Sequence, residues 1–204
     1  MKKLFLLIIA ICLNTNTYSQ TSDEFCKRGH AKYDLKDYQG AIDEYSKAIE
    51  VNTNSSLGFY YFCFRADVKI QTQDFRGAII DYTKVIELNP NFSNAYYGRA
   101  TCKMNLQDYR GSILDFSKVI QFGTDNALVY SQRGYSKLNI KDFEGSITDC
   151  NKAISLDSNN ALGYYSRGLA KLDLGKKDDG CLDLSKSGEL GFELAYNAIK
   201  ELCN

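Results

Sequence analysis

The sequence predicts an all-α fold, an α-solenoid of five helix–turn–helix repeats closed by a C-terminal capping helix. A motif of the form aromatic-x-x-Arg-Gly/Ala-x-x-Lys, followed by Asp-aromatic-x-Gly-small-Ile, recurs at a spacing of 34 to 37 residues. Both halves of each repeat carry apolar residues at a period near 3.6, which is the period of an amphipathic helix. The chain also has one Pro, no Trp and 15 Tyr, which fits helices joined by short connections.

The residues before the repeats have the organisation of a secretory signal peptide, predicted over 1–19. Two lysines precede the apolar run 4–13, and the small residues Thr17 and Ser19 suit cleavage before Gln20. A run of 10 residues is too short to cross a bilayer core of roughly 30 Å, so no membrane span is expected. The sequence therefore predicts an exported protein, periplasmic or secreted.

Five repeat units follow from placing one aromatic residue at the fourth position of each unit. These aromatic residues are Phe25, Phe62, Tyr96, Tyr130 and Tyr164. The units then span 22–55, 59–92, 93–126, 127–160 and 161–194, with 56–58 as an insertion. Because each unit buries its apolar face against its neighbours, the five units are expected to form one elongated domain.

Each unit reads as two helices with a short break between them. In the third unit the pattern predicts helices over 95–106 and 109–122, separated by Gln107 and Asp108. An Asp stands where each of the first four second helices needs an N-terminal hydrogen-bond acceptor: Asp37, Asp74, Asp108 and Asp142.

Residues 192–204 are predicted to form a capping helix after the fifth unit. An apolar stripe runs along this segment, made of Leu194, Ala195, Ala198, Ile199, Leu202 and Cys203. A solenoid needs such a helix because the last repeat otherwise exposes an apolar face to water.

These residues make the chain similar to the tetratricopeptide repeat (TPR) family, over residues 22 to about 190. The resemblance implies a right-handed α-solenoid with no enzymatic activity and no cofactor, which binds a protein or peptide partner. The chain departs from the family pattern in every unit, where Arg replaces the usual Leu and Lys replaces the usual Tyr. Only Pro90 keeps the closing proline of the family.

The Arg and Lys of the first helices form a basic ladder, which carries two interpretations. Its arginines are Arg28, Arg65, Arg99, Arg133 and Arg167, and its lysines are Lys32, Lys69, Lys103, Lys137 and Lys171. The favoured interpretation is an internal ion-pair ladder, because an acid recurs at the same period on the second helices: Glu44, Asp81, Asp115, Asp149 and Asp183. Arg99 is then expected to pair with Asp115 or with Asp81. The alternative is an anion-binding spine.

The chain without residues 1–19 has six cysteines, so disulfides are permitted in an exported protein. Cys102 and Cys150 stand at core positions of their units. Cys181 lies on the last repeat helix and Cys203 on the capping helix that should pack against it, so this pair is the candidate disulfide.

Cys26, His30 and Cys63 are the only residues whose types and spacing point to a chemical site. Cys26 and His30 are four residues apart on one predicted helix, and Cys63 occupies the position of Cys26 in the next unit. A thiol or metal site is conceivable there, but the sequence shows neither a third orienting group nor a fourth ligand.

The resemblance to the family also implies a ligand-binding groove along the concave face made by the first helices. The predicted groove residues are Tyr60, Gln71, Asn94, Tyr97, Met104, Asn105, Tyr135, Asn139 and Tyr165. The apolar residues Leu162, Leu169 and Leu172 share these positions, with burial in the last two repeats as an equal alternative. The same positions hold no Lys or Arg, which favours a neutral to basic, partly apolar segment as the ligand. They do hold four acids: Asp23, Asp34, Asp67 and Asp173.

Three functional hypotheses follow. The first is an interaction module that holds a peptide segment in the concave groove, the second a self-associating structural component of an envelope assembly, and the third a thiol or metal protein. Nucleic acid is not expected as a partner, since removal of the signal peptide leaves 23 basic against 25 acidic side chains, a net charge of −2. The identity of the partner and the oligomeric state stay open.

Overall fold

The computed structural model describes residues 21–51 and 58–203, and within these ranges it contains eleven helices and no strand. The helices are α1 (Ser22–Asp34), α2 (Tyr38–Val51), α3 (Phe59–Gln71), α4 (Phe75–Leu88), α5 (Ser93–Asn105), α6 (Tyr109–Gln121), α7 (Ala127–Asn139), α8 (Phe143–Leu156), α9 (Ala161–Asp173), α10 (Lys177–Glu189) and α11 (Leu194–Leu202). The predicted signal peptide 1–19 lies outside the described residues. Among the described helices, none has the length and hydropathy of a membrane span.

The helices stack in the order of the chain, which confirms the predicted α-solenoid. Each helix packs against the one before it and the one after it, and α11 packs on α10. The two helices of the third unit, α5 and α6, begin and end within two residues of the predicted ranges. The helix ranges could be predicted from the 3.6-residue period because the apolar positions decide which face of each helix is buried.

The turn inside each repeat has the same left-handed geometry. In the third unit, Gln107 has a φ of 62°, and the Asp108 amide donates to the carbonyl of Lys103 at 2.8 Å. This is a Schellman motif, in which a residue just past the helix adopts the left-handed conformation. The equivalent residues with positive φ are Lys36, Gln73, Lys141 and Gly175.

The Asp residue after each of the first four turns starts the second helix. The Asp108 Oδ1 accepts the amide of Gly111 at 2.9 Å, and Asp74 does the same for Gly77. A side-chain oxygen here satisfies an amide that lacks a partner inside the helix. In the fifth unit Lys176 stands at this position and makes no side-chain cap.

The core lies between the helices, where large side chains of one helix cover small residues of the next. Tyr45, Phe116 and Leu184 are the largest fully buried apolar side chains among the described residues. In the fifth unit a Cβ on Gly168 would lie 2.9 Å from the carbonyl oxygen of Gly180, so α9 and α10 approach closely there. Cys102 and Cys150 are buried in the core, as predicted.

The basic ladder is an internal ion-pair ladder. Arg99 donates through Nε and Nη2 to Asp115 at 2.9 and 2.7 Å, and Lys103 binds the same carboxylate at 2.7 Å. The alternative pairing of Arg99 with Asp81 is wrong, because Asp81 is bound by Arg65. The same own-unit Arg–acid pair occurs in all five units, and both cations bind one acid in units two to five.

Each of four arginines also reaches the preceding repeat. The Arg99 Nη1 donates to the Thr83 hydroxyl at 3.1 Å, so one side chain joins the second and third units. Arg65, Arg133 and Arg167 make the equivalent bond to Ser46, Ser117 and Asn151. The ladder therefore also fixes the register between repeats; the sequence pattern predicted the ion pairs but not these bonds to the preceding repeat.

The capping helix α11 is shorter and less buried than its stripe predicted. Ala195 and Ala198 are buried, but Leu194 and Leu202 are 57% and 46% exposed, so the expectation that both leucines cover the last repeat is wrong. A nine-residue helix packs on one neighbour only, and small alanines at that contact leave the leucines at its edges in water.

Two further contacts hold this helix to the fifth unit. The Tyr196 hydroxyl donates to the carbonyl of Gly188 at 2.9 Å. Cys181 of α10 and Cys203 are joined by a disulfide, with Cα atoms 5.8 Å apart. The other cysteines of the described residues are free thiols.

Candidate functional site

Three open clefts follow one another from the first repeat to the start of the fourth. The first is lined by His30, Tyr33, Tyr45, Phe64, Asp67 and Val68. The second is lined by Tyr60, Cys63, Phe64, Asp67, Tyr82, Phe92 and Asn94, and the third includes Asn94, Tyr97, Asn126 and Leu128. Phe64 and Asp67 are shared by the first two clefts, and Asn94 by the last two. We call this continuous row the N-terminal groove.

Of the nine predicted groove residues, Tyr60, Asn94 and Tyr97 line the N-terminal groove. Each comes from the first helix of its unit, where the helical repeat turns the same positions toward one side of the solenoid. Tyr60 is 38% exposed, as is Tyr33 at the N-terminal end. These large aromatic side chains are thus partly exposed to water in the groove.

The six other predicted groove residues do not line these three clefts. Asn105 and Asn139 donate their side-chain amides to carbonyls one turn earlier in their own helices. Met104 packs against the core, and Gln71 is the exposed last residue of α3. These residues have the predicted positions in their units but lie outside the clefts of the groove.

Tyr135 and Tyr165 are engaged by other rings of the chain. The Tyr135 ring lies 6.3 Å from that of Tyr109. Tyr165 contacts Phe192, with ring centroids 4.8 Å apart, so the connection to the capping helix covers this end. Burial raises the pKa of Tyr165, because the phenolate form would be poorly solvated there.

Asp67 lines the first two clefts; the sequence placed it among the acidic groove positions but not among the nine residues expected to contact the ligand. Its Oδ1 accepts a hydrogen bond from the Tyr82 hydroxyl. The residue as a whole is exposed, but its carboxyl group is partly desolvated by the residues of the first two clefts. That desolvation raises the pKa of Asp67, and the Tyr82 hydrogen bond acts in the opposite direction.

Tyr82 and Tyr45 belong to the core position of the second helix, so the sequence pattern assigned them to packing. Each has its ring buried and its hydroxyl directed to a groove residue: Tyr82 to Asp67 and Tyr45 to the His30 Nδ1, at 2.7 Å. The equivalent residues in the later units are Phe116, Cys150 and Leu184, which carry no hydroxyl. The presence of a hydroxyl at this core position in the first two units only was the sequence signal that could have pointed to a polar site there.

The thiol or metal hypothesis has little support in the geometry. The Cys26 Sγ lies 3.5 Å from the His30 Nε2, but burial and then the charge of Asp23 raise the pKa of this thiol, the opposite of a reactive cysteine. Burial raises the pKa of Cys63 to about 12. Within 21–51 and 58–203, no group of three or more His, Cys, Asp or Glu is arranged to hold a metal ion.

The profile of the tetratricopeptide repeat matches residues 25–55, 60–92 and 127–160. These segments fall in the first, second and fourth units, and the same helical pair and ion-pair ladder continue through the units between and after them. The chain belongs to the tetratricopeptide repeat family. A search of the curated proteins found no significant match.

Several solved TPR structures share the fold. A crystal structure of YrrB, described as a TPR protein with an unusual peptide-binding site, is 14% identical, covers 87% of this chain and 91% of that one, and has a TM-score of 0.74. A crystal structure of MamA is 21% identical, with coverages of 83% and 91% and a TM-score of 0.76. A MamA fragment from Desulfovibrio magneticus RS-1 is 16% identical, with coverages of 83% and 94% and a TM-score of 0.75.

Proposed function

We propose that this TPR protein is a non-enzymatic scaffold that holds an extended peptide segment in the N-terminal groove. The observation that carries the proposal is the row of three clefts with shared walls, open to water and lined by tyrosine, phenylalanine and asparagine. Aromatic rings contribute apolar contact area at a low cost in conformational entropy, and asparagine can bond the backbone of an extended chain. YrrB, which has the same fold, is named for a peptide-binding site.

The test is a selection of peptides from a random displayed library on the purified protein. Peptides that bind the native protein should lose affinity by about tenfold or more when Tyr60 and Tyr97 are replaced by Ala, since removing a central aromatic contact costs about 2 kcal/mol. Leu35→Ala, an exposed apolar residue that lines none of the three clefts, serves as the control. Peptides that bind all three proteins equally would contradict the proposal.

A second candidate function, self-association, has one observation in its favour. Ile80, Leu114 and Leu182 occupy the same position of their units on the second helices and are 68%, 69% and 69% exposed. Exposed apolar residues in a repeated row are typical of an interaction surface. Sedimentation equilibrium decides: a monomer at all concentrations removes this candidate, whereas a dimer that Leu114→Glu dissociates supports it.

We also propose that the protein is exported. The support is the N-terminal segment with the pattern of a signal peptide, together with one disulfide, a bond that persists in oxidising compartments. Fractionation of the native cells and N-terminal sequencing test this. A mature chain that begins near Gln20 outside the cytoplasm is expected, and an intact N-terminus in the cytoplasm would contradict the proposal.

A further inference from the structure

We propose that the N-terminal groove contains a pocket for one cationic side chain, Lys or Arg, which binds between Asp67 and the aromatic rings around it. This inference rests on the proposed peptide-binding function and specifies one anchor of the ligand. Three features of the groove carry it: its charge, the arrangement of its rings, and the way in which Asp67 is held.

The charge of the groove is negative at its centre. Asp67 lines two of the three clefts, and the described residues that line the three include no Lys or Arg. The cations of the same helix are already engaged, because Arg65 and Lys69 both bind Asp81. Within the described residues no ion pair joins Asp67 to a cation, so a ligand can supply the missing positive charge.

The carboxylate of Asp34 adds to the negative charge near Asp67. The charges of Asp34 and Asp67 both act on the Tyr45 hydroxyl, whose pKa is raised chiefly by burial. His30 is the one side chain of the first cleft that can carry a positive charge, and its Nδ1 faces Tyr45. The groove around Asp67 therefore attracts a cation and disfavours an anion.

Aromatic rings form the walls beside this carboxylate. Tyr60 and Phe64 are nearly parallel, at 24° with centroids 6.4 Å apart, and Phe92 meets Tyr60 edge-on at 84°. The face of an aromatic ring carries partial negative charge and binds ammonium and guanidinium groups. The stem of a Lys or Arg side chain can meanwhile lie along apolar ring surface.

The Tyr82 hydrogen bond holds the carboxylate for such a ligand. It occupies Oδ1 of Asp67, which fixes the orientation of the group, and leaves Oδ2 to accept from an ammonium or guanidinium N–H.

Only the second unit combines an acid at this position with a tyrosine behind it. The other units have His30, Thr101, Tyr135 and Leu169 in place of Asp67. The pocket is therefore specific to the second of the five repeats. It does not recur along the groove.

The experiment is a titration followed by amide resonances of the isotope-labelled protein. The probes are three blocked tripeptides, acetyl-Gly-X-Gly-amide, in which X is Arg, Lys or citrulline, the neutral isostere of Arg. The Arg or the Lys probe is expected to shift resonances of Phe64 and Asp67 and to bind about tenfold more tightly than citrulline. Stronger binding of Arg points to stacking of a planar group, and of Lys to a compact ammonium; either supports the pocket.

Asp67→Asn and Glu87→Gln remove one negative charge each, the first in the groove and the second at an exposed residue outside the three clefts. Asp67→Asn should keep the fold, since the amide oxygen can still accept from Tyr82, but should lose the preference for Arg or Lys over citrulline. Glu87→Gln should bind as the native protein does. Three results would each overturn the pocket. The citrulline probe could bind as tightly as the Arg and Lys probes, or Asp67→Asn could keep the preference for Arg or Lys over citrulline. The third is that no amide resonance shifts at about 10 mM probe.

The failure of this pocket can be told apart from the failure of the peptide-binding function. If selected peptides depend on Tyr60 and Tyr97 but tolerate neutral residues throughout, the groove binds peptides and the cationic anchor is wrong. If no selected peptide depends on those tyrosines while the Arg or Lys probe still requires Asp67, the pocket stands without the extended groove.

Discussion

Arg99 shows how one side chain can hold two repeats together. Its guanidinium binds Asp115 of its own unit through two nitrogens and Thr83 of the preceding unit through the third. Its carbon atom Cζ also lies 5.7 Å from the centroid of the Tyr96 ring. Arginine suits this role because its five N–H donors leave a planar group in fixed directions.

Replacing Arg99 with Ala is expected to lower the free energy of unfolding by about 2 to 4 kcal/mol. The reason is that the buried Asp115 loses a bidentate partner, while Lys103 remains at 2.7 Å and keeps the loss below that of an unpaired buried acid. Urea unfolding followed by circular dichroism measures it. Arg110→Ala, on the exposed surface of α6, is the control, and a loss for Arg99→Ala of less than about 1 kcal/mol would show that the ladder adds little stability.

Asp67 is expected to cost stability at neutral pH. Its pKa is raised in the folded protein, so folding favours the protonated form, and the free energy of unfolding falls as the pH rises from its ordinary pKa through the raised one. Asp67→Asn should therefore raise the melting temperature at pH 7, and the difference should vanish at low pH, where Asp67 is protonated. Melting curves of both proteins against pH test this; a lower melting temperature for Asp67→Asn at pH 7 would contradict it.

At the scale of the helix, the turns between paired helices are the least favourable part of the repeat. Gln107 adopts a φ of 62°, and a residue with a Cβ pays about 1 kcal/mol or more for this conformation. The fifth unit avoids the penalty with Gly175, whose φ is 77°, and no atom lies near its missing Cβ.

Gln107→Gly is expected to stabilise the protein by about 0.5 to 1 kcal/mol, and Gly175→Ala to destabilise it by about 1 kcal/mol. The signs are opposite because Gln107→Gly relieves backbone strain at this turn position and Gly175→Ala introduces it. Urea unfolding of both variants beside the native protein provides the comparison. Two changes of the same sign would indicate that the flexibility of the unfolded chain, and not the turn, determines the result.

The helices were predictable and the site was not, for a physical reason. The third-unit helices follow from apolar residues three and four positions apart, because that spacing puts them on one face of a helix. The groove depends on which polar groups meet across helices, such as the Tyr82 hydroxyl and Asp67. Tyr165 had the predicted position in its unit, but Phe192, far along the chain, contacts it.

The capping helix shows the same difference between what spacing within a helix predicts and what depends on contacts between helices. Its apolar stripe predicted a buried face, yet Leu194 and Leu202 stay in water, because α11 packs on α10 through the small residues Ala195 and Ala198. Register and reach between elements are properties of the assembled molecule, and sequence spacing within one helix does not contain them.

At the scale of the whole molecule, a solenoid is stabilised by contacts between neighbours, so its ends are its weakest parts. The C-terminal end here has the least family-like repeat, without an Asp cap on α10, and a short helix with two exposed leucines. The Cys181–Cys203 bridge crosses this weak junction. We expect its effect to be local, because distant repeats share no contacts with it.

Loss of the bridge is therefore expected to free α10 and α11 while the first three units stay folded. Closing a loop of 22 residues contributes on the order of 3 kcal/mol, so Cys203→Ser should speed hydrogen exchange in these two helices by about 100-fold and leave exchange in the N-terminal groove unchanged. Cys26→Ser, which removes a free thiol of the first unit, is the control. Peptide mapping without reduction should find Cys181 and Cys203 joined and four free thiols; if both are alkylated in protein from the oxidising compartment, the two ends of this junction are held by packing alone.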